Sequence, residues 1–150
     1  MLIGDVCNRN VVYATCETMV SEAAALMRHH HVGDVVVVDR ADAERMPIGI
    51  LTDRDIVVEV VAPGLDAKVI RIGDLLLWGQ LVTVQENETC PDTIRLMSEK
   101  GVRRMPVINA AGVLIGIVSI DDMLPQLAKE LAELAELGRH GRQREIQTRK

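Results

Sequence analysis

The feature that most constrains this chain is that it contains itself twice. Residues 12–39 align without a gap on residues 82–109, which sets Leu26 over Leu96, Met27 over Met97, Val32 over Val102 and Asp39 over Asn109. The loop that follows is three residues shorter in the second copy, and from there Gly49 meets Gly116 and Asp55 meets Asp122. Ahead of each copy, Gly4-Asp5-Val6 matches Gly73-Asp74-Leu75. A unit of about 50 to 60 residues leaves too much of one sheet face uncovered to be stable alone, so the two units are expected to pack together.

Both copies share one local grammar. A short β-rich run comes first, Val11–Ala14 or Leu81–Val84. Apolar residues then fall at spacings of three to five, Ala23, Leu26 and Met27 or Ile94, Met97 and Val102, as on the buried stripe of a helix. Thr89 with Asp92 three residues on reads as a helix start, and Gly101 as a left-handed stop that His31 replaces in the first copy. Val35–Val38 and Met105–Ile108 are too short for helices and read as strands buried on both faces. A further strand follows, Ile48–Leu51 or Leu114–Val118, and then a second helix from near Asp53 or Ile120. The predicted fold class is therefore α/β of the α+β type: tandem β-α-β-β-α repeats about a pseudo-twofold axis, plus a C-terminal amphipathic helix. The expected divisions are 1–61 for the first repeat, 62–80 for a connecting segment with a short helix over Ile72–Trp78, and 81–125 for the second repeat. Residues 126–138 are expected as the amphipathic helix and 139–150 as a mobile basic tail.

Composition narrows the function. With 17 Lys and Arg against 22 Asp and Glu, the net charge of −5 repels a polyphosphate backbone, and Tyr13 and Trp78 are too few aromatics for a base-stacking platform. Nucleic acid is not the expected partner. The chain starts without a basic segment followed by a long apolar one, and no apolar run reaches the roughly 18 residues of a membrane span, so a soluble cytoplasmic protein is expected. Cys7, Cys16 and Cys90 are odd in number and lack metal-type pairing, and they read as reduced thiols.

The duplicated Gly49-Ile50-Leu51-Thr52-Asp53-Arg54-Asp55 and Gly116-Ile117-Val118-Ser119-Ile120-Asp121-Asp122, with Val102-Arg103-Arg104-Met105-Pro106-Val107, resemble the CBS domain. That family occurs in tandem as the pair called a Bateman module. The resemblance covers about residues 3 to 125. It implies a regulatory module that binds adenosine nucleotides in clefts between the repeats and pairs with a second module.

The residue chemistry points the same way. Thr52 or Ser119 stands where a strand gives way to a helix, with the free N–H groups of the first turn beside it. Three residues on, Asp55 or Asp122 can accept from both hydroxyls of a ribose, and deoxyribose would forfeit one of these bonds. Arg54 adds a cation in the first copy, where the second has Asp121, while the second copy has Arg103 and Arg104 where the first has Gly33 and Asp34. The two clefts should therefore differ. Val12, Tyr13 and Ala14, Val82, Thr83 and Val84, and Met105 and Pro106 are the expected contacts of a base. The competing reading is that each Thr/Ser-x-x-Asp is only a capping box, which stabilises a helix by about 1 kcal/mol without any ligand.

Other candidates are weaker. His29, His30 and His31 are consecutive, so on a helix they point about 100° apart and cannot converge on one ion. No motif sets a thiol beside an imidazole and an orienting group, so no catalytic residue and no metal ligand is assigned. Asp53 with Asp55, and Asp121 with Asp122, diverge at their helix starts and do not form an acid/base pair. Beyond Pro125, expected as a first-turn residue of a new helix, Leu127, Leu131, Leu134 and Leu137 make an apolar stripe that covers the sheet or pairs with a second chain. The expectation is a non-enzymatic sensor, homodimeric, with AMP, ADP or ATP as regulatory ligand, no required cofactor and a separate regulated protein as partner. The alternative is a structural dimer or adaptor with empty clefts.

Overall fold

The computed structural model describes residues 1–76 and 80–149. Chain order runs α1 (Ile3–Val6), β1 (Tyr13–Thr15), α2 (Val20–His30), β2 (Asp34–Val38), β3 (Pro47–Thr52) and α3 (Asp53–Ile56), which continues as a π-helical turn over Val57–Val61. A 3-10 turn at Ile72–Asp74 leads to β4 (Val84–Gln85), α4 (Cys90–Lys100), β5 (Arg104–Ile108), β6 (Leu114–Ser119) and α5 (Ile120–Thr148). The part of the expected short helix that falls on residues 77–79 lies outside the described residues.

Two three-stranded sheets carry the duplication into three dimensions. In each, the first strand runs parallel to the second and the second antiparallel to the third. Asp34 stands opposite Thr52 and Arg104 opposite Ser119, and both ladders shift register at the equivalent step, between Val37 and Val38 and between Val107 and Ile108. Each sheet packs its helices over one aliphatic core. Ala14, Ala23, Met27, Val35, Val37, Leu51 and Ile72 form the first core, and Ile3, Val84, Cys90, Met97, Met105, Val107, Val118 and Met123 the second. Val36 and Val38 are also fully buried on the other face of β2, as the continuous apolar run predicts.

The segments that lead into the repeats are exchanged. Ile3, at the front of the first repeat, sits in the core of the second, and Ile72, at the front of the second, sits in the core of the first. The same bonds hold both. Ile3 and Gly4 N–H donate to the Glu88 and Glu86 carbonyls at 2.9 and 2.8 Å, and Ile72 and Gly73 N–H donate to Thr18 and Cys16 at 2.9 and 3.0 Å. Asn8 continues the exchange by pairing antiparallel with Ile117 of β6. In the other direction, the longer loop of the first repeat reaches the second, where Arg45 carbonyl accepts from Leu114 N–H at 2.7 Å.

This exchange sets what the paired motif glycines can tolerate. A Cβ on Gly116 would lie 2.7 Å from Cys7 Sγ and 3.0 Å from the Asn8 carbonyl, whereas the nearest atoms to one on Gly49 belong to the Leu76 side chain, the closest at 2.9 Å. A leucine tip can swing away and a paired backbone cannot. Gly116→Ala is expected to destabilise by about 1–3 kcal/mol and Gly49→Ala by clearly less, an order that urea unfolding of the two variants checks.

Two expectations are corrected here. Pro125 does not break the chain into two helices but lies inside α5, which also carries the expected mobile tail in helical form as far as Thr148. Proline removes one N–H from the ladder, and the loss is absorbed because the first turn is fixed independently by the Ser119 cap and by buried Met123, while Ala, Leu, Glu and Lys beyond it favour helix. No helix among the described residues is long and apolar enough to cross a membrane.

Candidate functional site

Each strand-to-helix turn is built the same way. The first N–H of α3, from Asp53, donates to Gly33 carbonyl at 2.9 Å, and that of α5, from Ile120, donates to Arg103 carbonyl at 3.1 Å, so each helix start is tied to the entry of the neighbouring strand. Thr52 Oγ1 accepts from Asp55 N–H at 3.1 Å and Asp55 Oδ2 accepts from Thr52 N–H at 2.9 Å. At the second turn Asp122 Oδ2 accepts from Ser119 N–H at 2.7 Å and from Ser119 Oγ at 2.9 Å. Both carboxylates thus close capping boxes. That occupies one oxygen of each, and among the described residues neither Asp55 Oδ1 nor Asp122 Oδ1 accepts a hydrogen bond.

Asp122 and Ser119 open onto a cleft of about 380 Å³ between the repeats. Asn8, Asn10, Val11 and Val12 form one side, the His31–Asp34 turn another, and Ile117, Ser119, Asp121 and Asp122 the third, with Arg104 at the edge. The volume lies within the roughly 300–1,000 Å³ of small-molecule sites, and aliphatic side chains do not fill it. His31 reaches its place by closing α2 in the left-handed conformation, at φ 55°, as Gly101 closes α4 at φ 67°. Gly33 leaves room for two charged groups: a Cβ there would lie 3.3 Å from Asp53 Oδ2 and 3.7 Å from Arg104 Nη1.

Of the residues singled out in the sequence, the structure gathers Ser119, Asp122, Arg104 and Val12 in this cleft. Thr52 and Asp55 hold the equivalent turn of the first repeat with Arg54 exposed beside them, and the stretch matching Val11-Val12 is the half-buried Leu81-Val82. The remainder is placed differently. Arg103 lines a groove between α4 and α5, away from Arg104, because successive residues of an extended chain point to opposite sides. Arg104 is ion-paired to Asp34, the residue at its own aligned position in the first repeat. Arg103 and Arg104, the cations expected for the second cleft, are therefore on different sides of β5.

The expected base contacts also divide. The Arg45 guanidinium lies 4.0 Å from the Tyr13 ring centroid and covers one face of that ring. Ala14, Val84 and Met105 are packed into the two cores and Pro106 is buried, while Val82 and Thr83 are half-buried ahead of β4. Those core side chains are already in contact with the protein, and Val12 is the one of the expected set that lines the cleft. Sequence reasoning missed Asn8 and Asn10, which reach the cleft through the exchanged N-terminal segment, and Ile117, which lines it from β6.

The thiols offer little chemistry. Burial pushes Cys7, Cys16 and Cys90 above the usual cysteine range, which leaves them less thiolate at neutral pH than a free cysteine. Among the described residues no three His, Cys, Asp or Glu side chains come together to hold a metal ion.

Comparison with known proteins fits this architecture. The sequence pattern described as CBS domain matches residues 3–62 and again residues 72–129. An uncharacterised protein of Methanopyrus kandleri is 36% identical over 122 residues, which cover 81% of this chain and 60% of that one. The chain thus spans well under two thirds of that relative. A crystal structure of Hypoxic Response Protein I with two coordinated zinc ions superposes with a TM-score of 0.71 at 32% identity, covering 82% of this chain and 96% of that one. A CBS domain protein of Pyrobaculum aerophilum complexed with AMP gives a TM-score of 0.75 at 23% identity, over 89% and 99% of the two chains, a likeness of fold.

Proposed function

The chain belongs to the CBS-domain family, with two copies in one chain, and from that premise we propose that it is a regulatory module binding an adenosine nucleotide in the cleft between its repeats. The observation that carries this reading is Asp122. Its carboxylate keeps Oδ1 open beside a helix start, at the edge of a cleft whose opposite wall comes from the other repeat. A ribose diol suits that oxygen, with the Ser119 turn at hand, while Val12 and Ile117 offer apolar surface to a base.

A ligand that touches both walls binds one relative position of the repeats better than another. It therefore shifts the module between states, and a separate protein that contacts only one state is thereby regulated. A homodimer and such a regulated partner belong to this proposal, and the module is read as non-catalytic. The charges refine the ligand. Asp34, Asp121 and Asp122 face one arginine, and that arginine is already held by Asp34. A monophosphate suits such a cleft better than a triphosphate.

The adaptor reading draws on the capping boxes, since both carboxylates fold onto their own backbones. The open volume beside Asp122 favours the sensor. Calorimetric titration of the full chain with AMP, 2′-deoxyadenosine monophosphate and ATP separates the two. AMP is expected to bind, the deoxy analogue about tenfold or more weakly, as loss of one charged hydrogen bond requires, and ATP no more tightly than AMP. Equal affinity for AMP and its deoxy analogue removes the ribose assignment, and no binding of any of the three supports the adaptor.

A further inference from the structure

α5 is 29 residues long, about 43 Å, and from Leu127 onward all of its described residues are exposed. Leu124, Leu127, Leu131 and Leu134 follow one another at steps of three, four and three, and they are 55%, 37%, 69% and 64% exposed. That is the spacing of a two-helix coiled-coil seam, whose first two residues, Leu124 and Leu127, also line the open groove beside α4. The next two positions of the same seam, at steps of four and three, are Gly138 and Gly141. Among the described residues, the helix's own adjoining backbone aside, nothing lies within 4 Å of where their Cβ atoms would be, so no contact described within this chain calls for glycine. Each costs the helix about 1 kcal/mol relative to alanine.

The charges are segregated along the same helix. Residues 121–136 hold Asp121, Asp122, Glu130, Glu133 and Glu136 against Lys129 alone, while 139–149 hold Arg139, Arg142, Arg144 and Arg149 against Glu145 alone. A parallel pair of these helices would set like halves side by side. An antiparallel pair sets acid over base.

We propose that α5 pairs antiparallel with α5 of a second copy of this chain, in the register that places Leu124 opposite Gly141, Leu127 opposite Gly138 and Leu131 opposite Leu134. Each outer layer then joins one large side chain to one glycine, which lets the helices approach closely and gives both glycines a purpose. Asp121 falls within one helical turn of Arg142 of the second copy, on the same flank of the seam. The inference does not rest on nucleotide binding, although Asp121 and Asp122, at the start of α5, also line the cleft.

Full-length Leu127→Cys and Gly138→Cys proteins, mixed, oxidised and mapped by mass spectrometry of their peptides, test the register. Both positions are exposed, and peptides containing Cys7, Cys16 and Cys90 are distinguished by mass. The expected result is an interchain 127–138 disulfide in the mixture, with little self-linking of either protein alone, and loss of that product when Leu131→Lys and Leu134→Lys are added to both chains. Dominant 127–127 and 138–138 links mean a parallel pair and overturn the proposal. Absence of interchain links, or a 127–138 link that survives the two lysines, overturns it as well.

Discussion

Asp122→Ala is expected to weaken AMP binding by about 10- to 100-fold, the loss of a charged hydrogen-bond acceptor worth roughly 1.5–3 kcal/mol. The same substitution also opens a capping box, so some loss of stability, about 1 kcal/mol, comes with it. The chain carries its own control. At the start of α4, Thr89 Oγ1 accepts from Asp92 N–H at 3.2 Å and donates to Asp92 Oδ2 at 2.8 Å, a cap of the same kind that lines no part of the cleft. Asp92→Ala should lower the melting temperature about as much as Asp122→Ala and leave AMP affinity unchanged. Asp55→Ala should leave the Asp122 cleft unchanged also, because Asp55 closes the turn of the other repeat. Calorimetry and thermal melting of the three variants decide the matter: if Asp92→Ala and Asp122→Ala move affinity equally, the carboxylate acts through stability and not through the ligand.

The elements were legible because the duplication states each one twice. A run such as Val35–Val38 is ambiguous alone, but with Met105–Ile108 at the matching place it reads as a strand, and both runs are central in their sheets. The helix starts were legible for the same reason, from Thr and Ser followed three residues later by Asp. What escaped the sequence depends on where the pseudo-twofold axis falls. The uneven placing of arginines is visible in the alignment, yet only the fold brings Asp34 against Arg104 and pairs that cation off. Tyr13, expected among the contacts of a base, has one ring face covered by Arg45 from a distant loop, a contact no local pattern reports. Pro125 was misjudged because its cost is local, while the cap and the buried Met123 that offset it belong to the preceding turn.

The exchange of leading segments was the least legible feature, since no periodicity reports a bond between Gly4 and Glu86, and it makes the second large prediction. Ile3 and Ile72 are both fully buried, each in the core of the repeat it does not precede. Truncating either to alanine is expected to cost about 2–5 kcal/mol through lost burial and the cavity left behind. The location of the damage tests the topology more sharply than its size. Ile3→Ala should speed amide exchange in β4, β5 and β6, around Met97, Met105 and Val107, and Ile72→Ala should do so in β1, β2 and β3, around Met27, Val35 and Val37. A linear arrangement, with each segment serving the repeat that follows it, requires the opposite pattern. Because Asn8 and Asn10 follow α1 into the cleft wall, Ile3→Ala should also weaken AMP binding, while Ile72→Ala, remote from that wall, should spare it unless the first repeat unfolds as a whole. In this arrangement the exchanged strap joins the cleft wall to the second core, so a substitution at Ile3 is expected to be felt at a cleft that Asn8, Asn10 and Ile117 line together.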